Sequence, residues 1–273
     1  MQLNSQKYVQ TGEFKTAYYE GGQGNETVLL IHGGGAGADA YGNWRTCFPI
    51  FSEETKVFAI DMVGFGNSDA PNADQFEYTQ QARIKQVIDF IEAMNLQSLN
   101  IVGNSMGGAT GLGVAMQRPE LIKSLTLMGS AGLNRQVNTA LGKVVNYDFT
   151  LDGMRKIVEA LGNPDMNMPE DLISYRHQLS NKPDVKQAYQ ATMGWVKSQG
   201  GLHYTDEEIA AVKNRTLVFN GKDDKVIPMQ EGFHFLELLE NSTGYFLPHC
   251  GHWAMMEYPE LFSKVTLDFI LNK

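Results

Sequence analysis

The sequence predicts an α/β protein, in which a mostly parallel sheet lies between helices and a helical segment is inserted between two strands. Short, compact apolar runs, which are typical of buried strands, alternate with segments whose apolar residues recur at helical spacing. The alternation stops between Asn134 and about Glu208 and then resumes. A chain of 273 residues, 42% hydrophobic and 19% charged, is long enough for one large core with an inserted subdomain.

The predicted elements follow in order along both halves of the chain. Polar and aromatic segments up to Tyr19 and a glycine-rich turn precede the first buried strand. The predicted strands are 27–31, 56–60, 98–102, 124–128, 216–220 and 245–247. The predicted helices are the apolar stripe from Ile84 to Met94, and then 107–117, 151–161, 169–179 and 259–271. We therefore expect residues 1–133 and 209–273 to form the core, and residues 134–208 to form a helical cap.

Charge and cysteine content exclude several classes of protein. A net charge of -9 leaves no basic face for a phosphate backbone, so we expect no nucleic-acid partner. Cys47 and Cys250 are far apart and outside any CxxC pair, which predicts reduced thiols in a cytoplasmic protein. Residues 1–14 lack the apolar core of a signal peptide, and no run approaches about eighteen apolar residues. We expect neither secretion nor a membrane partner.

A serine motif lies between a predicted strand and a predicted helix. Gly103-Asn104-Ser105-Met106-Gly107 fits the pattern G-x-S-x-G. In this pattern a strained turn lifts the serine above the sheet, and the glycines let strand and helix approach closely. A flexible Gly-Ser turn is the alternative interpretation, but the strand-to-helix context is what the motif requires. The sequence therefore indicates that Ser105 is a nucleophile.

A serine nucleophile needs a base, and the base needs a carboxylate to orient it. His252 follows the last predicted strand, where that base belongs. The acid should follow the strand at 216–220, where Asp223 and Asp224 compete. The spacing G-x-x-D-x-x-x-P, from Gly221 to Pro228, favours Asp224 and predicts that Asp223 is a solvated neighbour.

We expect no metal site. His249 and His252 form an H-x-x-H pair, but no glutamate or third ligand accompanies them at helical spacing. The other histidines, apart from His32 in a loop motif, fit structural roles.

Donors for a developing negative charge are predicted in the loop after the first buried strand. His32-Gly33-Gly34-Gly35 has the form of an HGGG oxyanion loop. The candidate donors are the backbone N–H of Gly34 or Gly35 together with that of Met106. A plain glycine hinge is the alternative interpretation.

Taken together, these segments resemble the α/β-hydrolases, and more narrowly the meta-cleavage product hydrolases of bacterial aromatic catabolism. The resemblance covers nearly the whole chain. It rests on the glycine loop with Asn43 downstream, on residues 103–110, on residues 221–228, and on Cys250-Gly251-His252-Trp253. It implies an eight-stranded, mostly parallel sheet with helices on both faces and an inserted helical cap. It also implies a homo-oligomer, a dimer or larger, that uses no metal or organic cofactor.

The resemblance further implies hydrolysis of a carbon–carbon bond in a 2-hydroxy-6-oxo-hexa-2,4-dienoate. The products would be 2-hydroxypenta-2,4-dienoate and a carboxylic acid, and the C6 substituent would be an aryl group. Arg176 matches the arginine that binds the substrate carboxylate, and a guanidinium can hold a carboxylate in a bidentate fork. Asn43, Asn104 and Trp253 match positions that line the dienoate site. Apolar residues of the cap, among them Leu151, Met154, Ile157 and Met166, are candidates for the far end of the pocket.

The catalytic residues alone leave two questions open. Ser105, Asp224 and His252 would serve a carboxylesterase or a lactonase unchanged, and a binding protein of the same fold is a more distant alternative. In the carbon–carbon reaction, Ser105 either attacks the C6 carbonyl directly or assists a water molecule.

Overall fold

A computed structural model of the chain describes residues 5–165 and 168–273. Its centre is one eight-stranded sheet with the order β1-β2-β4-β3-β5-β6-β7-β8. β1 pairs antiparallel with β2, and β2 pairs antiparallel with β4, whereas the other neighbours run parallel. The strands are β1 Lys7–Thr11, β2 Phe14–Gly21, β3 Thr27–Ile31, β4 Lys56–Ile60, β5 Leu99–Asn104, β6 Ile122–Met128, β7 Arg215–Gly221 and β8 Ser242–Leu247. The predicted sheet is confirmed.

Two sets of helices pack against this sheet: one set precedes β6 in the chain, and the other follows β7. The helices before β6 are α1 Ala40–Trp44, α2 Phe48–Glu54, α3 Gln80–Ala93 and α4 Met106–Gln117, and a short 3₁₀ helix at Pro119–Leu121 precedes β6. Those after β7 are α10 Met229–Leu238, α11 Ala254–Glu257 and α12 Pro259–Leu271. α4 contacts α3, β5 and β6, while α2 contacts β4 and α12. With helices on both faces, β3 to β7 are almost continuously buried, and β3 and β4 are accordingly almost continuously apolar.

The described chain between β6 and β7 is helical. Its helices are α5 Thr139–Val145, α6 Leu151–Leu161, α7 Glu170–Ser180, α8 Pro183–Ser198 and α9 Asp206–Ala210. The first four contact one another, whereas α9 contacts α4 and α10. No helix in residues 5–165 and 168–273 is long and apolar enough to cross a membrane.

Two local differences from the predicted strands have physical causes. β5 runs two residues past its predicted end. Glycine and asparagine are both uncommon in strands, but Gly103 and Asn104 pair with Leu127 and Met128 of β6 and so continue the strand. β1 and β2 form an antiparallel pair at the sheet edge, where exposed residues interrupt the apolar pattern.

The topology brings the predicted site residues to one edge of the sheet. The glycine loop follows β3, Ser105 follows β5, Asp224 follows β7 and His252 follows β8. These strands are parallel, so their carboxyl ends meet at the same edge. This edge is the place to look for a site.

Candidate active site

Ser105 occupies a strained turn between β5 and α4. Its backbone has φ 55° and ψ -117°, a left-handed conformation that a residue with a Cβ adopts only when its surroundings impose it. The Ser105 backbone N–H donates to Met128 O at 3.1 Å, and its carbonyl accepts from Ala131 N–H, also at 3.1 Å. The last residue of β6 and the chain directly after it therefore hold the turn from both sides.

The two glycines of the motif allow this turn because a side chain at either position would meet backbone. A Cβ on Gly107 would lie 2.3 Å from Ile31 O, and one on Gly103 would lie 2.5 Å from Gly107 O. Contacts this short require the backbone of β3 or α4 to move. The glycines thus set how closely α4 approaches the sheet.

We expect Gly107→Ala to lower the free energy of unfolding by roughly 3 kcal/mol or more, since overpacking against backbone cannot be relieved by a rotamer change. Gly194→Ala is the matched control: Gly194 lies inside α8 with nothing within 4 Å of its built Cβ. This control should gain about 1 kcal/mol from helix propensity. Denaturant unfolding of both variants measures the difference. Equal stability of the two variants would contradict the packing argument.

Asp224 and His252 form a buried pair. His252 Nδ1 and Asp224 Oδ2 are 2.7 Å apart, and both side chains are almost fully buried. The second carboxylate oxygen, Oδ1, accepts from the backbone N–H groups of Val226 at 2.8 Å and Ile227 at 2.9 Å. Asp223 is exposed and accepts a hydrogen bond from Asn163. Asp224 is thus the aspartate that can orient the imidazole.

Contacts that the sequence did not reveal hold the His252 loop in place. The His252 backbone N–H donates to Leu161 O at 2.7 Å, which joins the loop to the end of α6. The Glu257 carboxylate accepts from the N–H groups of Gly251 at 2.9 Å and Trp253 at 3.2 Å. Gly129 provides the space, because a Cβ there would lie 3.0 Å from Asp224 Oδ2 and 3.1 Å from His252 Nδ1.

His32 anchors the glycine loop as a neutral imidazole. Its Nε2 accepts from Met62 N–H at 2.9 Å, so its Nδ1 carries the proton and donates to Gly33 O at 2.7 Å. Burial lowers the pKa of His32 to about 4. The ring therefore stays uncharged at neutral pH and acts as a structural brace.

The next two glycines have different neighbours. A Cβ on Gly34 would lie 2.5 Å from Met106 Cε, and one on Gly35 would lie 3.1 Å from Arg176 Nη2. Met106 is the first residue of α4, so its backbone N–H has no partner within the helix. Gly34 and Met106 are therefore the neighbouring pair among the predicted donors.

The predicted site residues line one cavity or stand directly behind its wall. Its wall contains Ser105, His252, Gly34, Gly35, Met106, Asn43, Asn104, Arg176 and Trp253, and Asp224 lies directly behind His252. Other parts of the wall are apolar: Leu141, Val144, Val145, Leu161, Met193, Val196, Leu202, Val226 and Ile227. A mostly apolar pocket with a few convergent polar groups is the usual form of a small-molecule site.

Arg176 is a buried cation with unused donors. Its Nη2 donates to Ala36 O at 2.9 Å, but within the described residues its Nε and Nη1 have no hydrogen-bond acceptor. Its guanidinium carbon lies 5.2 Å from the centroid of the Trp253 ring. Burial lowers the pKa of Arg176, and the negative charge of Asp39 opposes that shift. A buried guanidinium with free N–H groups favours an anion beside it.

The two asparagines differ in how fully they are hydrogen-bonded. Asn104 Nδ2 donates to Met128 O at 3.2 Å and, more weakly, to His252 O at 3.4 Å. Asn43 Nδ2 reaches Asn104 Oδ1 only at 3.5 Å, and among the residues described here Asn43 Oδ1 is buried without a partner. Asn104 is therefore part of the wall, whereas Asn43 has bonding capacity left for a ligand.

The apolar cap residues predicted for the far end of the pocket are elsewhere. Met154 and Ile157 are fully buried in the core, and Leu151 packs against that core without lining the cavity. Met166 lies outside the described residues. The helices between β6 and β7 contribute to the apolar wall instead through α5, Leu161 and α8, and the rest of that wall is Leu202, Val226 and Ile227.

Comparison with known proteins agrees with this fold. The family model described as the alpha/beta hydrolase fold matches residues 26–259. The fold and the serine elbow thus define an α/β-hydrolase.

More specific relatives narrow the class. The chain is 47% identical, over 98% of its length and 91% of the relative, to a 2-hydroxy-6-oxo-6-(2'-aminophenyl)hexa-2,4-dienoic acid hydrolase of Metapseudomonas resinovorans. It is 30% identical, over 97% of its length and 95% of the relative, to a 2-hydroxy-6-oxo-2,4-heptadienoate hydrolase of Pseudomonas putida F1. The crystal structure of a serine hydrolase involved in carbazole degradation superposes with TM-score 0.90 at 47% identity, covering 98% of this chain and 99% of that one. This chain belongs to the meta-cleavage product hydrolase family.

Proposed function

We propose that the protein hydrolyses the C5–C6 bond of a 2-hydroxy-6-oxo-6-aryl-hexa-2,4-dienoate, giving 2-hydroxypenta-2,4-dienoate and an aromatic carboxylic acid. In this proposal Ser105, Asp224 and His252 are the catalytic residues. The Gly34 and Met106 N–H groups form the oxyanion hole, with Gly35 beside them. Arg176 and Asn43 hold the dienoate, Asn104 and Trp253 line its binding site, and residues 134–208 form a cap over it.

The observation that carries the proposal is the buried guanidinium of Arg176, whose Nε and Nη1 lack an acceptor within the described residues. An ester substrate offers no anion to this cation, whereas a dienoate has a carboxylate at the end opposite to its C6 substituent. Two free N–H directions on Arg176 and the unpartnered Asn43 Oδ1 supply donors for the carboxylate and an acceptor for the 2-hydroxyl. The apolar wall then receives the C6 substituent.

The chemistry follows in two phases. The proton of the 2-hydroxyl moves to C5 by way of His252, which converts the dienol into its keto form and leaves the imidazole neutral, while Arg176 and Asn43 hold the carboxylate end. Ser105 then attacks the C6 carbonyl, and the Gly34 and Met106 N–H groups stabilise the oxyanion. His252 takes the hydroxyl proton of Ser105 in this attack. The C5–C6 bond then breaks with its electron pair delocalised into the α-keto acid, and the resulting dienolate takes that proton from His252 and leaves as 2-hydroxypenta-2,4-dienoate. Water then hydrolyses the acyl-enzyme and releases the aromatic acid.

An aryl substituent fits the site better than a methyl group. Leu141, Val144, Val196, Val226 and Ile227 present an apolar surface that a flat ring can cover. The relative at 47% identity is named for a 6-(2'-aminophenyl) substrate, while the relative named for a heptadienoate is only 30% identical. We therefore expect a higher kcat/KM for the 6-phenyl dienoate than for the 6-methyl dienoate.

Arg176→Leu should raise KM for the 6-phenyl dienoate and lower kcat/KM by roughly a hundredfold, because the carboxylate loses charge-assisted hydrogen bonds. It should leave hydrolysis of p-nitrophenyl acetate within a few-fold of wild type, since that ester has no carboxylate to hold. Arg155→Leu is the matched control, because Arg155 is exposed on α6 and pairs with Glu170 at the surface. Steady-state kinetics decide the question. Unchanged KM and kcat for the dienoate would show that the carboxylate binds elsewhere.

We also propose that the protein acts in the cytoplasm as a homo-oligomer, a dimer or larger. Support for the compartment comes from Cys47 and Cys250, which are both buried free thiols. Light scattering on the purified protein measures the oligomeric state directly, and a monomeric mass would contradict this part of the proposal.

A further inference from the structure

The cavity wall contains one more polar side chain, which has no role in the proposed function. Asn134, six residues after β6, lines the cavity and is only 5% exposed. Asn134 stands beside apolar wall residues. Two residues before it, Gly132 donates its N–H to Leu202 O at 3.1 Å, and Leu202 also lines the cavity. An amide in an otherwise apolar wall costs free energy unless it has hydrogen-bond partners.

Asn134 has one partner, and that partner fixes its orientation. Asn134 Nδ2 donates to Glu231 Oε1, in the first turn of α10, at 3.0 Å. An ionised carboxylate only accepts hydrogen bonds, so the amide turns its nitrogen toward Glu231 when Glu231 is ionised. In the described part of the chain, Asn134 Oδ1 is buried without a donor. The wall thus holds an oriented hydrogen-bond acceptor without a donor.

Glu231 shares this shortage of donors. Its Oε2 is also buried and lacks a partner within residues 5–165 and 168–273. Burial first, and then the negative charge of Asp224, raise the pKa of Glu231 to about 7, and His252 opposes this shift. Two neighbouring oxygens that both lack donors favour a ligand that brings N–H groups.

We propose that Asn134, positioned by Glu231, accepts a hydrogen bond from an amino group on the C6 ring, so that the enzyme prefers aminophenyl to phenyl dienoates. This inference rests on the proposed function. An amino group ortho to the C6 carbon has two N–H bonds. One is directed at the C6 carbonyl oxygen, and the other is free for Asn134 Oδ1. A plain phenyl ring leaves this acceptor unsatisfied, which is the kind of mismatch by which enzymes discriminate between similar substrates.

The test compares kcat/KM for the 6-(2'-aminophenyl) and the 6-phenyl dienoates in matched variants. Wild type should favour the aminophenyl substrate by roughly three- to tenfold, the usual effect of one neutral hydrogen bond. Asn134→Leu and the smaller Asn134→Ala should both bring that ratio close to one, so a folding defect in either leaves the other as the test. Asn146→Leu, at an exposed asparagine after α5, should keep the wild-type ratio.

The positioning role of Glu231 is tested separately, by the same substrate ratio in two Glu231 variants. Glu231→Leu should lower the substrate ratio, since the amide can then rotate, whereas Glu231→Gln keeps an acceptor for Asn134 Nδ2 and should hold the ratio nearer to wild type. A ratio unchanged in Glu231→Leu would overturn the positioning role.

The outcomes separate this inference from the proposed function. A wild-type enzyme that hydrolyses both dienoates, with a ratio that the Asn134 variants also keep, overturns only the assignment of Asn134. A wild-type enzyme that hydrolyses neither dienoate overturns the proposed function, and the inference fails with it.

Discussion

Replacing Ser105 with alanine should slow hydrolysis of the 6-phenyl dienoate by roughly three orders of magnitude or more while its binding survives, since a site that lacks one member of the triad keeps only residual catalysis. Binding depends mainly on Arg176, Asn43 and the apolar wall, which this change leaves in place. Ketonisation depends on His252 and should also survive. Ser105 is therefore expected to matter after the first proton transfer.

Two measurements separate these steps in the Ser105→Ala variant. Equilibrium titration should give a Kd close to the wild-type KM. Rapid-mixing absorbance should show loss of the dienol conjugation without release of the aromatic acid. Ser198→Ala is the matched control, because Ser198 is exposed near the end of α8. Near-normal release of the acid by Ser105→Ala would remove Ser105 from the mechanism.

Replacing His252 with alanine should have an effect at least as large and should stop both phases. The imidazole is the proton carrier for C5 and the base that activates Ser105, so we expect kcat to fall by roughly four orders of magnitude. Its buried contact with Asp224 would also be lost, leaving a carboxylate without its partner. The bound substrate should then remain in its dienol form.

The spectrum of the bound substrate distinguishes His252→Ala from Ser105→Ala. The first variant should accumulate the conjugated dienol and the second the keto form. His249→Asn serves as the control, because His249 is exposed and its positive φ is one that asparagine tolerates. Accumulation of the keto form in His252→Ala would mean that another group carries the first proton.

Sequence patterns predicted the parts of the fold whose cause is local. β3, β4, α6 and α12 have the predicted limits, because each is a compact apolar run or an amphipathic stripe with clear ends. α8 was not among the predicted helices, although Val185, Ala188 and Tyr189 stand at helical spacing after a proline in its first turn. Its contribution to the cavity depends on which face it turns inward, and packing against α5 and α7 determines that.

The candidate site likewise contains residues that local motifs predicted and residues that they did not. Ser105, Asp224 and His252 stand in short motifs whose spacing reflects strand-to-loop geometry, and the structure brings them to one cavity. Gly129, Glu257 and the Asn134–Glu231 pair have no such motif. They matter because segments far apart in sequence meet, as in the bond from Asn134 to Glu231 across 97 positions. Only the folded arrangement reveals such pairs.

The central claim is that the bond broken is carbon–carbon, and product analysis tests it most directly. Wild-type enzyme and 6-phenyl dienoate should give 2-hydroxypenta-2,4-dienoate and benzoate in equal amounts, quantified by liquid chromatography and mass spectrometry. In ¹⁸O-labelled water the new oxygen should appear in benzoate. A protein that hydrolyses p-nitrophenyl esters but leaves the dienoate intact would contradict the account.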